Sequence, residues 1–553
     1  MTMTRPDPAT LEIIRNRLLA AAEDMRVTLV RSAYTPTIYE SQDCAVGLLD
    51  SNAEVIALST GLPIFLGNLG QAVVDSVALR GGPQTMRPGD VYLLNDAYVQ
   101  GAHMQDCTTF APIFVGDTLT GYAVARAHVV DLGSSEPGGG MAATSVFDEG
   151  LRLGPVRIFD ERGACEDMLT VLRHNSRSPE ALVGDVLAMA AAVRTGSDRL
   201  NQIVGRWGFE VFDAACAAIF EYSERETRAA IRAIPDGRYV ASGAMDDDGI
   251  DVGVPVRIAV AVTVAGEEIS VDLEGTSPIV RGAINCGVAQ TISSVRVALR
   301  MLLGGTRPPD GGTFRPVSVQ VPRGSFLYAQ APAACGNYAA SAVLLMDLVM
   351  RALSDAVPDR ACAGQYGDTI SEFVWTDPDG RHLMLGEAHA GGWGAGDGYT
   401  GADAVIDLTN GQFRNFSIEL LEARYPAVIE EYGYRRGSGG AGQFRGGNGI
   451  VRRYRLTGPA LFYLWMDRVH TPPWGLCGGH AGAPGFALLR TADGELEVHK
   501  CEGRPLQAGD EVTIFTAGGG GYGPVPGSLV TGSAVSEAEA ERTLAIAGKD
   551  SIR

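Results

Sequence analysis

Four side chains in the first quarter of this 553-residue chain have the types to do chemistry: Asp43, His103, Asp106 and His128. Two carboxylates and two neutral imidazoles form a donor set that holds a borderline divalent ion and leaves a position for water or substrate. The densest stretch runs Asn95-Asp96-Ala97-Tyr98-Val99-Gln100-Gly101-Ala102-His103-Met104-Gln105-Asp106, and Ala127-His128-Val129-Val130-Asp131 follows. With only 8 histidines in the whole chain, two beside acids in one short stretch stand out from background. A metal site is the first expectation, and zinc, manganese and iron suit it equally.

These residues need a scaffold, and the sequence offers a hairpin. Phe110–Val115 and Thr118–Val130 read as strands around Gly116-Asp117, a glycine-first two-residue turn. A regular ladder from that turn sets Gln105 opposite His128, Ala127 opposite Asp106, and His103 opposite Val130. Both histidines and Asp106 then gather at the open end, but Asp106 falls on the other face unless a bulge or strand end intervenes. Pro112 marks the first strand as an edge strand.

Further elements follow from spacing. Asp7-Pro8 caps a helix carrying Leu11, Ile14, Leu18, Ala22, Met25 and Leu29 on one face. Glu166 to about Ala233 is helical and ends at Pro235-Asp236-Gly237. Residues 238–275 alternate as strands, helices are expected around Ser293–Leu303 and Ala339–Ala356, and the chain is mostly β from Thr369. The reading is an α+β chain of several domains: 1–165 around the metal site, a helical segment 166–235, an α/β middle domain 236–368, a β-rich domain 369–527, and a tail 528–553 with a short helix.

The bulk numbers exclude several classes. A net charge of −20 without a basic stripe argues against a nucleic-acid partner. The 9 scattered cysteines suit buried thiols in a reducing compartment, and Cys107 is read as one of them. Residues 1–15 lack a signal-peptide pattern and no apolar run reaches membrane-spanning length, so a cytoplasmic protein off the membrane is expected. No nucleotide-binding G-x-x-x-x-G-K-[ST] occurs, nor H-E-x-x-H, G-x-S-x-G or C-x-x-C. The glycine run at 518–523 is read as turn glycines after a strand at Glu511–Phe515, and Arg445-Gly446-Gly447 as a turn between strands.

Taken together, the motifs resemble the hydantoinase B/oxoprolinase family over nearly the whole chain. Glu40-Ser41-Gln42-Asp43-Cys44 is similar to its E-x-x-D-F-S segment, and Asn95 to Asp106 to its N-D-P-Y-x-G-G-x-H-x-x-D signature. Arg126-Ala127-His128 with Asp131 matches its R-A-H-H-A-D, and Gly336-Asn337, Ser438 to Gly442 and Gly518 to Gly523 match later blocks. Two positions depart: Val129 replaces the second histidine of H-H-A-D, and Phe65 the histidine of P-V-H-L-G.

The resemblance implies a role for each candidate. Asp43, whose spacing alone suggests a turn acid, becomes the fourth metal ligand beside His103, Asp106 and His128. Catalysis is expected to depend on Asp106 and His128. Asp96 and Asp131 are candidates for outer acceptors that fix imidazole tautomers, with an Asx turn the equal alternative for Asp96. The resemblance further implies a hetero-oligomer in which ATP and Mg are held by a separate A-type subunit, which phosphorylates a carbonyl oxygen. The small-molecule substrate is then a cyclic amide to be opened or, alternatively, a ketone to be carboxylated. A further alternative is a metal-bearing structural subunit without chemistry of its own.

Overall fold

The computed structural model describes residues 6–526 apart from 138–139, 306, 378–379, 381 and 412. The expected helix in the tail 528–553 lies outside the described residues. Helix α1 (Pro8–Ser32) starts where the sequence places it, with the Asp7 carboxylate accepting from the Ala9 and Thr10 amides. Its buried stripe contains Ile14, Leu18, Ala22, Met25 and Leu29.

The strands that follow are β1 (Cys44–Asp50), β2 (Val55–Leu58), β3 (Val91–Leu94), β4 (Asp106–Val115), β5 (Thr118–His128), β6 (Val156–Asp160) and β7 (Gly163–Ala164). They form one sheet in the order β2-β1-β5-β4-β3-β6-β7. Short helix α2 (Pro36–Tyr39) precedes β1, and α3 (Pro63–Leu66), α4 (Leu69–Leu79) and α5 (Ala97–Gln100) lie between the strands in sequence. The helical stretch expected over 166–233 is three helices: α6 (Glu166–His174), α7 (Pro179–Trp207) and α8 (Phe209–Arg232).

This sheet is buried on both faces, and its alternation shows what covers each one. Ala123, Ala125 and Ala127 of β5 join one hydrophobic core with α1 and α7, while Tyr122 and Val124 join another. The alanines and Gly196 allow close approach: a Cβ on Gly196 would stand 2.5 Å from the Met25 sulfur and 3.0 Å from Ala123. Residues 166–235 thus share a core with the N-terminal sheet.

The second sheet, β11-β10-β9-β8, is built from β8 (Gly237–Met245), β9 (Val256–Ala265), β10 (Glu268–Asp272) and β11 (Val317–Gln320). Helices α9 (Val288–Leu303) and α10 (Tyr338–Ala352) contribute to the core that this sheet shares with the first. The β-rich part holds two more sheets. One is β13-β12-β16-β19, from β12 (Thr369–Thr376), β13 (His382–Ala388), β16 (Ala460–Met466) and β19 (Lys500–Leu506). The other is β14-β15-β20-β17-β18, from β14 (Ala427–Tyr434), β15 (Ile450–Leu456), β17 (Phe486–Thr491), β18 (Gly494–Val498) and β20 (Glu511–Phe515).

Two sequence expectations need correction here. Strand β4 is interior, between β5 and β3, and not an edge strand. Pro112 is tolerated because β3 pairs only with Thr108 to Phe110, so the β3 side of β4 is open at the proline. The glycine run is likewise not a set of turns. The Gly518, Gly519, Gly520 and Gly521 amides donate to the carbonyls of Ala483, Gly447, Gly364 and His480, at 2.8–3.0 Å. Successive amides point to different neighbours and return to the same neighbouring segment three residues on, the threefold habit of a polyproline-II-like chain. Arg445-Gly446-Gly447 belongs to the surrounding bundle, and a Cβ on Gly519 would lie 2.0 Å from the Trp393 carbonyl oxygen.

Candidate metal centre

The site stands on one row across three neighbouring strands. Asp106 pairs with His128 between β4 and β5. On the other side, β1 pairs Cys44 with Ala127, and the His128 amide donates to the Asp43 carbonyl oxygen at 3.2 Å. Asp43, His128 and Asp106 therefore meet at one end of the sheet. The residues further along the same face, Ala45, Val124 and Phe110, lie in the core shared with the second sheet.

The pairing of Asp106 with His128 corrects the sequence ladder by one residue. At the tip the register is as expected, Val115 with Thr118 and Phe114 with Leu119 around Gly116, but Ile113 then pairs with Gly121. Thr120 is the extra residue, its hydroxyl donating to the Ile113 carbonyl at 3.0 Å. The bulge lies near the tip, and it brings Asp106 to the same face as His128. His103 does not pair with Val130; it precedes β4 in a turn, its carbonyl accepting from the Asp106 amide at 3.1 Å.

The imidazoles converge on one buried carboxylate oxygen. His103 Nε2 is 3.1 Å and His128 Nδ1 3.5 Å from Asp106 Oδ1, and His128 Nδ1 is 3.9 Å from Asp43 Oδ2. The ligand atoms of His103, Asp106 and His128 all lie within 4.8 Å of one another, a grouping that Asp43 adjoins but does not enter. Despite those short distances, Asp106 Oδ1 lacks a directed hydrogen bond, and Asp43 Oδ1 is also buried without a partner. Burial pushes Asp106 upward, but the nearness of His103, then of His128, outweighs it and holds the carboxyl well below the ordinary range. Burial pushes Asp43 up to about 7, with His128 opposing and Asp106 adding to the rise.

The partners that orient these groups come from far along the chain. Gly336 O lies 3.1 Å from His103 Nδ1, and the Tyr338 hydroxyl donates to Asp106 Oδ2 at 2.8 Å. Glu149 holds this loop, one carboxylate oxygen accepting from the Cys335 and Gly336 amides at 2.5 Å each. Burial pushes Glu149 up to about 8 against the pull of those two amides. Behind the ligands, fully buried Arg126 donates to Asn68 at 2.7 Å and Thr108 at 2.8 Å; burial lowers it to about 10.

Neither expected outer acceptor touches an imidazole in the described contacts. Asp96 caps α5 by accepting from the Tyr98 amide at 3.0 Å and faces Arg152 at 3.7 Å, which is the Asx-type alternative. Asp131 pairs with Arg177 at 2.9 Å and accepts from Ser176 at 3.2 Å, tying the loop after β5 to the start of α7. At His103 the Gly336 backbone carbonyl stands where an acid was expected, and the Tyr338 hydroxyl holds Asp106 rather than an imidazole. Gly336-Asn337 was visible as a motif, but sequence separation concealed its contact with His103. Cys107 is buried and its thiol is raised by burial, as a structural cysteine is.

The cluster opens into a cavity of about 160 Å³ between the end of the first sheet and the β12–β13 face. Phe65 lines it, whereas Val129 is fully buried in the α1–α7 core. Of the two departures from the family pattern, only Phe65 can meet a substrate. Among the described residues, no helix is long and apolar enough to cross a membrane.

An α+β chain thus carries, at the mouth of a cavity, a His–Asp–His cluster that could hold a metal ion beside room for a small molecule. The chain belongs to the hydantoinase B/oxoprolinase family, whose model matches residues 7–525. It is 30% identical to the beta chain of the caprolactamase of Pseudomonas jessenii, covering 94% of this chain and 91% of that one. It is also 30% identical to the B-type subunit of a putative D-/L-hydantoinase of Pseudomonas sp. (strain NS671), covering 94% and 90%. Among solved structures, the ATP-dependent caprolactamase from Pseudomonas jessenii superposes with a TM-score of 0.85 at 28% identity, over 94% of this chain and 92% of that one. Nucleotide-free acetone carboxylase shares the fold, with a TM-score of 0.84 at 18% identity over 94% and 76%.

Proposed function

We propose that this chain is the metal-holding B-type subunit of an ATP-dependent hydrolase that opens cyclic amides, working with an ATP-binding A-type partner. The carrying observation is the convergence of His103 Nε2, His128 Nδ1 and Asp106 Oδ1, with buried oxygens of Asp106 and Asp43 left unpartnered. Buried polar atoms are rarely left so, and mixed imidazole and carboxylate donors fit a divalent ion of the zinc, manganese or iron type. His103, Asp106 and His128 would hold it, with Asp43 as the fourth donor. Such an ion lowers the pKa of bound water and polarises a carbonyl oxygen.

The chain's own residues set the geometry. Gly336 O fixes which nitrogen of His103 faces the cluster, and Tyr338 fixes the Asp106 carboxylate. Phe65 and the β12–β13 face restrict bulk water. Phosphorylation of the carbonyl oxygen on the partner gives an otherwise poor electrophile a good leaving group. The expected partnership is cytoplasmic and hetero-oligomeric.

Co-expression with an A-type subunit, followed by an ATP-dependent screen of cyclic amides and of ketones with bicarbonate, tests this reading. Ring opening that disappears in Asp106→Asn, with ATP hydrolysis and assembly retained, supports it. Product formation that survives in that variant defeats it and leaves the structural-subunit alternative. Ketone carboxylation is the second reading, favoured by the apolar Phe65 in the cavity wall; product only with ketone and bicarbonate selects it.

A further inference from the structure

The wall contributed by β12 and β13 carries one acid that the proposed chemistry leaves unused. Ile370, Glu372 and Val374 alternate on the cavity side of β12, opposite Ala388, Gly386 and Met384 of β13. Glu372 stands over Gly386, where an added Cβ would be 3.7 Å from the Glu372 carboxylate, so no side chain screens it from the cavity. Among the described residues, no hydrogen bond or ion pair engages its carboxylate.

The charges around the cavity are unbalanced. Asp106 belongs to the His–Asp–His cluster and Asp43 adjoins it, and Glu387 is spent on buried Arg452, both carboxylate oxygens at 2.9 Å from one guanidinium nitrogen. That leaves Glu372 as the acid free to meet a ligand, and no Lys or Arg among the described residues lines the cavity. The rest of the wall is mostly apolar, with Phe65, Ile370, Val374 and Met384 among its residues. A volume of about 160 Å³ suits one small ring, since a dry cavity of about 150 Å³ holds benzene.

We infer that the cavity takes a neutral or cationic small ring with an apolar body, whose N–H group is received by Glu372, and rejects rings bearing a free carboxylate. The inference rests on the cyclic-amide reading of this site and narrows it. With the ring's carbonyl turned to the His–Asp–His cluster, a carboxylate on the far side of the ring finds no Lys or Arg on the wall and must be desolvated beside Glu372, an uncompensated cost. Burial, then the charge of Glu502, pushes Glu372 up to about 8. A ring N–H or an ammonium therefore meets a carboxyl whose desolvation the fold already bears.

The test is calorimetric binding to the purified full chain loaded with zinc or manganese, using 2-pyrrolidinone, its 5-carboxylate and its 5-aminomethyl derivative. The uncharged and cationic rings are expected to bind at least tenfold more tightly than the carboxylate. Glu372→Lys should reverse the preference, and the near-isosteric Glu372→Gln should weaken the cationic ring selectively. Equal or tighter binding of the carboxylate, an unchanged preference in both variants, or no binding of any ring overturns the inference. Elemental analysis of the same samples separates it from the metal reading. A missing ion with the preference intact sinks only the latter, and a bound ion without the preference sinks only the former.

Discussion

The glycine bundle and the metal row are two places where polar groups crowd together in the interior, and they solve the problem in opposite ways. In the bundle, every amide from Gly518 to Gly521 finds a carbonyl on one of three neighbouring segments. In the row, buried oxygens of Asp106 and Asp43 find no directed partner although two imidazoles lie beside them. Full satisfaction marks structure, and convergent dissatisfaction marks a place for a ligand. Asp368 shows that orphaned oxygens alone are not enough. Both of its oxygens are buried and unpartnered, but burial and then Asp407 and Asp467 push its carboxyl far above the ordinary range, which disfavours the charged form that a cation would need. It enters no three-ligand cluster among the described residues.

The sharpest way to break the contrast is to disturb the satisfied side. Gly519→Ala forces a methyl against the Trp393 carbonyl and should cost about 3 kcal/mol or more, read as a lowered denaturation midpoint. A midpoint within experimental error of the unmodified chain would refute the packing account. On the unsatisfied side, Asp106→Asn should keep the fold and lose ion binding by more than about a hundredfold, beyond the usual cost of removing an outer partner. Titration with zinc or manganese measures this.

Smaller effects sharpen the picture. Tyr338→Phe removes the hydroxyl that holds Asp106 Oδ2 and should weaken ion affinity by roughly tenfold, the lower end for an outer-shell contact. No change in affinity would mean that the tyrosine only fills space. Glu149 gives a pH signature. Its folded pKa, about 8, lies above the ordinary 4.5, so its protonated form is the one the fold favours. The stability linked to it is fully present below about pH 4.5 and is lost as pH rises through 8. Denaturant unfolding across that range should show the decline, and Glu149→Gln should flatten it. An equal slope in both proteins would remove Glu149 from the account.

Much of this was legible in the sequence because the signals were local. The capped amphipathic α1, the Gly116-Asp117 turn and the His–Asp spacing each depend on residues within a few positions of one another. The family resemblance supplied Asp43, which spacing alone left as a turn acid. What escaped was decided at a distance or by one residue. The bulge at Thr120 carries no strong sequence mark, yet it shifts the whole ladder. Gly336 and Tyr338 reach the site only through tertiary packing, and the nearer acids Asp96 and Asp131 were drawn instead to a helix cap and to Arg177. The glycine run looked like turns because glycine signals backbone freedom and close approach alike.

That one unpaired threonine also limits how the hairpin can vary. Its tip lies at the far end from the ions it would help to hold, in a place where chains ordinarily gain and lose residues freely. Here the count of residues has parity: deleting Thr120, or adding one more like it, turns Asp106 or His128 away from the other, whereas a change of two preserves their meeting. Length variation among proteins that keep this cluster should therefore come in even steps at this tip.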